Sequence, residues 1–182
     1  SVDAGKTWMS IGLKNSKHVG RIRIHPKNPD IVYAAVMGDL YKSSAERGVY
    51  KSINGGLSWK KVLFSNADAG VIDLIIDPNN SRVLYATTWN VRRTPFSLSS
   101  GGDGSALWKS IDGGETWKNI TANKGLPKGL YVSRVVASKY NVSRVYVTLN
   151  GYRNDHFNAY VYQSDDFGGI YMIDTSNAMN IG

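Results

Sequence analysis

The string SIDGGETW at 110–117 is written several times along the chain, and this recurrence restricts the fold more than any other feature. Full copies stand at 1–8 (SVDAGKTW) and 52–59 (SINGGLSW), and a partial copy at 164–168 (SDDFG). The opening serines, Ser1, Ser52, Ser110 and Ser164, lie about 50 to 60 residues apart, a period that marks a repeat made of one supersecondary unit. The text between the copies repeats as well. A short aromatic segment precedes each later copy: GVYKS (48–52), ALWKS (106–110) and YVYQS (160–164). Further upstream, two apolar segments are split by a turn, so that 19–38 aligns with 70–89 and with 132–151. The turns read HPKNPD, DPNNSR and SKYNVSR; their Pro, Asn, Asp and Ser residues favour reversal of the chain.

Each unit therefore predicts four strands. In the first they fall near 19–25, 31–37, 48–52 and 58–63; in the second near 70–76, 82–88, 106–110 and 116–121; in the third near 132–138, 144–149, 159–164 and 170–174. Residues 7–11 read as the last strand of a preceding unit. β-branched and aromatic residues fill these segments, and no helical periodicity competes with them. Four antiparallel strands per unit of about 50 residues is the pattern of a propeller blade. The expectation is an all-β chain, a β-propeller fragment of about three blades. Residues 1–18 would be the end of a preceding blade and its link, 19–69, 70–131 and 132–182 the blades, the last irregular or truncated at its end. Three blades and a strand do not close a ring, so the remaining blades of a larger propeller are expected partners.

The repeated box falls between the third and fourth strands, which makes it a hairpin connection. Asp3, Asp112 and Asp166 can accept from turn amides. Gly5, Gly56, Gly114 and Gly168 supply positive φ. The hydroxyls of the opening serines and of Thr7, Ser58 and Thr116 can tie the strand ends together. Trp8, Trp59 and Trp117 start the outer strand and can wedge between sheets. Asn54 stands where the other copies have Asp. It keeps the acceptor oxygen and drops the charge, which suits a turn brace rather than a general acid or a hard-cation ligand. A calcium loop would need alternating oxygen ligands and a distal Glu, so neither a metal nor a cofactor is expected.

The motif S-x-D-x-G-x-T-W resembles the Asp-box, or BNR repeat, of sialidases, xyloglucanase-type glycoside hydrolases, photosystem assembly factors and sortilin-type receptors. The longer segments HVGRIRIHPKNPDIVYAAVMG, ERGVYKSINGGLSWKKVL and RRTPFSLSSGGDGSALWKSIDGGETW resemble the bacterial sortilin-like propeller proteins often labelled glycosyl hydrolases. The resemblance covers about residues 1–168 and implies a large exported, extracytoplasmic propeller. After Gly168 the pattern breaks into GIYMIDTSNAMNIG.

In a propeller the loops joining strands two and three share one face with the blade links, and the boxes lie on the other. Function is therefore sought in 39–47, 89–105 and 150–158 and in the links 14–18, 64–69 and 122–131. The long segment 89–105 holds Trp89, Arg92, Arg93 and Phe96, groups suited to stacking on sugars and clamping anions. The segment 150–158 holds Tyr152, Arg153, Asp155 and His156. Glycoside hydrolysis needs two carboxyl groups about 5 to 9.5 Å apart. Asp39, Glu46, Asp68, Asp103 and Asp155 are the acids on this face, with Asp68 and Asp155 the candidates for catalysis. His18 and His25 are isolated.

The net charge of +8 is scattered without a basic run, which indicates a solvated mixed surface and no nucleic-acid partner. The sequence has no cysteine, which excludes disulfides and thiolate metal sites. No apolar run is long enough to span a membrane. The leading reading is a non-catalytic propeller that binds peptide, protein or glycan through its upper loops. The alternative is a carbohydrate-active hydrolase.

Overall fold

The structure is a computed structural model that describes residues 1, 3–126, 131–153 and 156–173; the side chains of 131, 151–153, 156–158 and 173 fall outside the description. The described residues form three antiparallel sheets and no helix. The first sheet has the order β1 (Val19–His25), β2 (Asn28–Val36), β3 (Gly48–Ser52), β4 (Lys60–Leu63). The second runs β5 (Ala69–Ile76), β6 (Leu84–Arg93), β8 (Ala106–Ser110), β9 (Lys118–Asn119), with β7 (Leu98–Ser100) pairing the far end of β6. The third runs β10 (Tyr131–Ala137), β11 (Val145–Arg153), β12 (His156–Ser164), β13 (Met172–Ile173).

The all-β expectation of four-stranded units holds, and several details differ. Residues 7–11 form no strand: a strand needs a ladder partner, and none for this segment is among the described residues. The expected loop 89–105 is largely a hairpin, because β6 runs on to Arg93 and pairs with β7. Likewise most of 150–158 is strand, with Arg153 facing His156 across the β11–β12 ladder. The outer strands β9 and β13 are only two residues long.

Register makes the units equivalent. Val32, Leu84 and Val145 each pair with a box serine: Ser52, Ser110 and Ser164 respectively. One face of each sheet packs on the next. Tyr33, Ala35, Val49 and Leu63 meet Val71, Leu74, Leu84 and Ala86 between the first and second sheets. Tyr85, Leu107 and Ile120 meet Val132, Val135, Val145 and Val147 between the second and third. Each buried Val, Leu or Ile among them contributes about 1.5–3 kcal/mol of apolar transfer free energy. At the two ends of the stack this burial stops. Leu74 is 0% exposed, yet Ile22, its equivalent in β1, is 57% exposed, and Val136 of β10 is 56% exposed.

The boxes share one hydrogen-bond pattern. Ser110 Oγ donates to Asp112 Oδ1 at 2.8 Å and accepts from Gly114 N at 2.9 Å; Asp112 Oδ1 accepts from Thr116 N at 3.0 Å. Ser1, Asp3, Gly5 and Thr7 repeat these contacts. So do Ser52, Asn54, Gly56 and Ser58, except that Asn54 Nδ2 donates to Ser58 Oγ where Asp112 accepts from Thr116 Oγ1. Ser164, Asp166 and Gly168 keep the pattern, with the amide of Ile170 in the place of Thr. Both central positions are left-handed: Ala4 and Gly5, Gly55 and Gly56, Gly113 and Gly114, Phe167 and Gly168. Trp117 packs between the first two sheets and Trp59 against Ala34, Val36 and Tyr50, whereas Trp8 is 82% exposed. The three later boxes also bond the turn between the first two strands of a unit, through Gly55 N to Asp30 O, Gly113 N to Arg82 O and Phe167 N to Ser143 O. This fixes the boxes at one end of the stack.

Candidate ligand-binding rim

The opposite end is organised by Arg47, which is 0% exposed. Its guanidinium donates to the carbonyls of Asp68 and Asp39, both at 2.6 Å, and of Val91 at 3.2 Å. Burial lowers its pKa, and the charges of Asp68 and Asp39 oppose that shift. Ser44 N donates to Ala67 O and Arg93 N to Leu40 O, each at 2.8 Å, and Val91 N to Asp68 O at 3.0 Å. Segment 39–47, link 64–68 and the β6–β7 hairpin are thereby tied into one rim, which crosses from the first sheet to the second.

Three acids of this rim brace its loops. Asp39 Oδ1 accepts from Tyr41 N at 2.9 Å, Asp68 Oδ1 from Ser43 Oγ at 2.6 Å and Glu46 Oε2 from the Tyr50 hydroxyl at 3.0 Å. Burial raises the Tyr50 phenol well above its ordinary value, and the bond to Glu46 adds to this. Asp103 is exposed on the turn that leads into β8. Asp155 lies outside the described residues, as do the side chains of Tyr152, Arg153 and His156.

The hairpin carries the outward-facing groups. Arg92 and Arg93 are strand neighbours and so point to opposite faces. Arg93 lies over the Trp89 ring, 5.3 Å from its centroid, and donates to Ser99 O at 2.7 Å. Arg92 is exposed. At the tip, Ser97 N donates to Thr94 Oγ1 at 2.9 Å, which closes the turn and leaves Phe96 97% exposed. Tyr41, on the adjoining segment, is 68% exposed. Of the four residues expected to act together, Trp89 and Arg93 therefore form a supporting pair, while Arg92 and Phe96 face solvent. The rim can stack on a flat ligand and donate to its oxygens.

The three sheets are blades of a β-propeller. A GH74 xyloglucanase from Xanthomonas campestris superposes on 88% of the chain with a TM-score of 0.62 and 15% identity, the chain covering 22% of that enzyme. A GH74 enzyme from Niastella koreensis superposes on 85% with a TM-score of 0.61 and 15% identity, again with 22% of that enzyme covered. In sequence the chain is 28% identical to a xyloglucanase of Paenibacillus sp over 118 residues, 59% of this chain and 10% of the relative's length. No family profile matches. The propeller segment thus spans a small part of each protein it is similar to.

Two features of the propeller escaped the sequence reading. Arg47 looked like one charge among many, although its equivalents at the start of the other third strands are small: Ser105 and Ala159. On the inner strands, Asp73 is 3% exposed and pairs with Arg21 Nε at 3.1 Å, with Arg134 Nη1 at 3.9 Å on its other side. These three occupy one register level of β1, β5 and β10, so aligning the units shows them in a row. His18 Nδ1 sits 2.9 Å from Gly38 O, and His25 Nδ1 accepts from Lys27 N. Among the described residues no group of three or more His, Cys, Asp or Glu could hold a metal ion.

Proposed function

We propose that this chain supplies consecutive blades of a larger Asp-box propeller of the sortilin-like kind, and that it binds polysaccharide through its upper rim without cleaving it. One observation carries this reading. The rim acids Asp39, Glu46 and Asp68 brace loops and Asp103 stands exposed on the turn before β8, whereas Arg92, Phe96 and Tyr41 face solvent on a braced scaffold. The similarity to a xyloglucanase supports a plant-type β-glucan as the ligand class. Titration calorimetry with xyloglucan oligosaccharides, together with a reducing-sugar assay, tests it. Binding without turnover, weakened by Phe96→Ala and Arg92→Ala, is the expected outcome. Hydrolysis abolished by Asp68→Asn or Asp155→Asn would overturn it.

The same sequence similarity favours a second reading, in which the assembled propeller is a glycoside hydrolase and Asp68 and Asp155 contribute carboxyl groups. The reducing-sugar assay separates the two.

A further inference from the structure

The box face carries an open groove between the second and third blades, and the interface one blade earlier shows what fills it. There, Glu115 at the sixth position of the 110–117 box reaches back to two lysines of the first blade. Its carboxylate receives Lys51 Nζ at 2.6 Å and Lys60 Nζ at 3.1 Å. These lysines pair with each other across β3 and β4.

At the next interface the lysines recur as Lys109 and Lys118, paired across β8 and β9. The acid does not recur. The sixth position of the box that opens at Ser164 is Gly169, whose amide donates to Asp166 Oδ1 at 2.8 Å as that of Glu115 donates to Asp112 Oδ1 at 3.0 Å. A Cβ on Gly169 would lie 2.6 Å from Asp166 Oδ2, so no filling side chain fits there without displacing the carboxylate. What remains is a groove of about 390 Å³, lined by Lys109, Lys118, Trp117, Phe167 and Asn123 among others. Lys109 Nζ donates to Phe167 O at 2.7 Å, the counterpart of Lys51 to Gly113 O at 2.8 Å. Lys51 has the Glu115 carboxylate as well, and Lys109 has no such second acceptor among the described residues. Lys118 has no hydrogen-bond or ion-pair acceptor among them.

We propose that this groove binds an acidic peptide segment, seating a glutamate or aspartate side chain between Lys109 and Lys118 as Glu115 sits between Lys51 and Lys60. A glutamate side chain is the occupant that the molecule itself displays one blade earlier. The aromatic and apolar walls, Trp117, Phe167 and the 67%-exposed Ile111, suit apolar residues flanking the acid. Asp166 also lines the groove, and its Oδ1 accepts from Ser164 Oγ and the amides of Gly169 and Ile170; Asp112 Oδ1 accepts likewise from Ser110 Oγ and the amides of Glu115 and Thr116, and there the Glu115 carboxylate takes its seat between the lysines beside that box acid. Burial lowers the Lys109 pKa; the charges of Asp166 and Asp77 oppose this shift, and the charge of Lys118 adds to it. An incoming carboxylate offsets the repulsion between the two lysines. The site lies on the face away from the rim and does not depend on the glycan reading.

The test is fluorescence anisotropy with labelled hexaglutamate, with hexaglutamine and an oligogalacturonate as comparators. Hexaglutamate binding that weakens with salt is expected. Lys118→Met should weaken it about 1.5- to fivefold, as for a solvent-exposed ion pair, and should leave the fold intact because Lys118 holds nothing in place. Lys60→Met, at the occupied interface, should leave binding unchanged. Glu115→Ala should add a second site and raise the stoichiometry from one to two. Equal losses for Lys118→Met and Lys60→Met would overturn the proposal, as would a stoichiometry that stays at one in Glu115→Ala. Preference for oligogalacturonate over hexaglutamate would also overturn it, in favour of an acidic glycan.

Discussion

The Tyr33 hydroxyl donates to the Gly113 carbonyl at 2.8 Å across 80 residues of sequence. Lys51 donates to the same oxygen and lies 5.8 Å from the Tyr33 ring centroid. One blade on, Tyr85 and Lys109 repeat this on the Phe167 carbonyl, at 3.0 and 2.7 Å. The carbonyl faces back to the preceding blade because the fourth and fifth box positions are both left-handed. The box therefore both closes its own hairpin and offers the acceptor by which one blade holds the next. Burial first, then the Glu115 and Asp112 charges, push the Tyr33 phenol up to about 12, so it remains a donor throughout the working pH range.

Tyr33→Phe keeps the ring packing and removes the donor. It should cost about 1 kcal/mol, the net worth of one such bond. Lys51 still donates to the Gly113 carbonyl, so the oxygen is not orphaned. Tyr85→Phe should cost a similar amount, and the double variant should be close to additive because the two bonds share no partner. Urea unfolding midpoints check this. A strongly non-additive double variant would show that the two interfaces communicate.

Arg47 gives a larger effect. Arg47→Met leaves the Asp39, Asp68 and Val91 carbonyls without their cationic donor inside the rim, and each buried acceptor left unsatisfied costs about 1–3 kcal/mol. Arg47→Lys should recover little, since an ammonium cannot fork to acceptors held in a guanidinium plane. Thermal unfolding gives the stability change. Hydrogen exchange at Val91 and Arg93 shows whether the hairpin loosens first, as the rim geometry requires.

The fold was legible because each unit repeats the same hairpin text, and a hairpin is decided by local residues. Asn54 in the series reads, from sequence alone, as an acceptor oxygen kept and a charge dropped, which suits a turn brace. The rim was less legible for a physical reason. Arg47 acts through carbonyls of 39, 68 and 91, which no side-chain pattern records. The insert RRTPFSLSS reads as loop text because Pro and Ser interrupt it, yet its ends pair in register, Arg93 with Leu98 and Val91 with Ser100. The row Arg21, Asp73, Arg134 has meaning only after three strands are laid side by side.

Two glycines separate the cost of conformation from the cost of space. Gly113 has φ +75°, and a Cβ there meets nothing closer than 3.9 Å. Ala4 and Phe167 occupy the same box position at φ 56° and 60°. Gly113→Ala should therefore cost only the left-handed penalty, about 1–2 kcal/mol. Gly125 has φ +95°, and its Cβ would lie 1.7 Å from Tyr171 O, whose own amide bonds Lys124 O at 2.8 Å. Gly125→Ala must part the link from the third blade, at about 3 kcal/mol or more when the strain of overpacking is added. Denaturant unfolding of the two variants side by side should rank them in that order.

The box carboxylates make the fold sensitive to acid, with a sign fixed by their hydrogen bonds. Thr116, then Ser110, hold the Asp112 carboxyl far below its ordinary 3.8, and Thr7 and Ser1 hold Asp3 at about 2. A carboxyl whose pKa is depressed in the folded state stabilises that state above its unfolded value. The contribution fades as pH falls through the folded value. Stability should thus be level down to about pH 4 and decline below it as the boxes protonate. Asn54 makes the control, since its box has no such group to titrate and instead donates to Ser58 Oγ at 2.8 Å. Asp112→Asn should reproduce that arrangement with Thr116, lower stability little at pH 7, and narrow the gap between urea midpoints measured at pH 7 and pH 2.5. A gap as wide as that of the unsubstituted chain would mean that acid acts elsewhere than on this box.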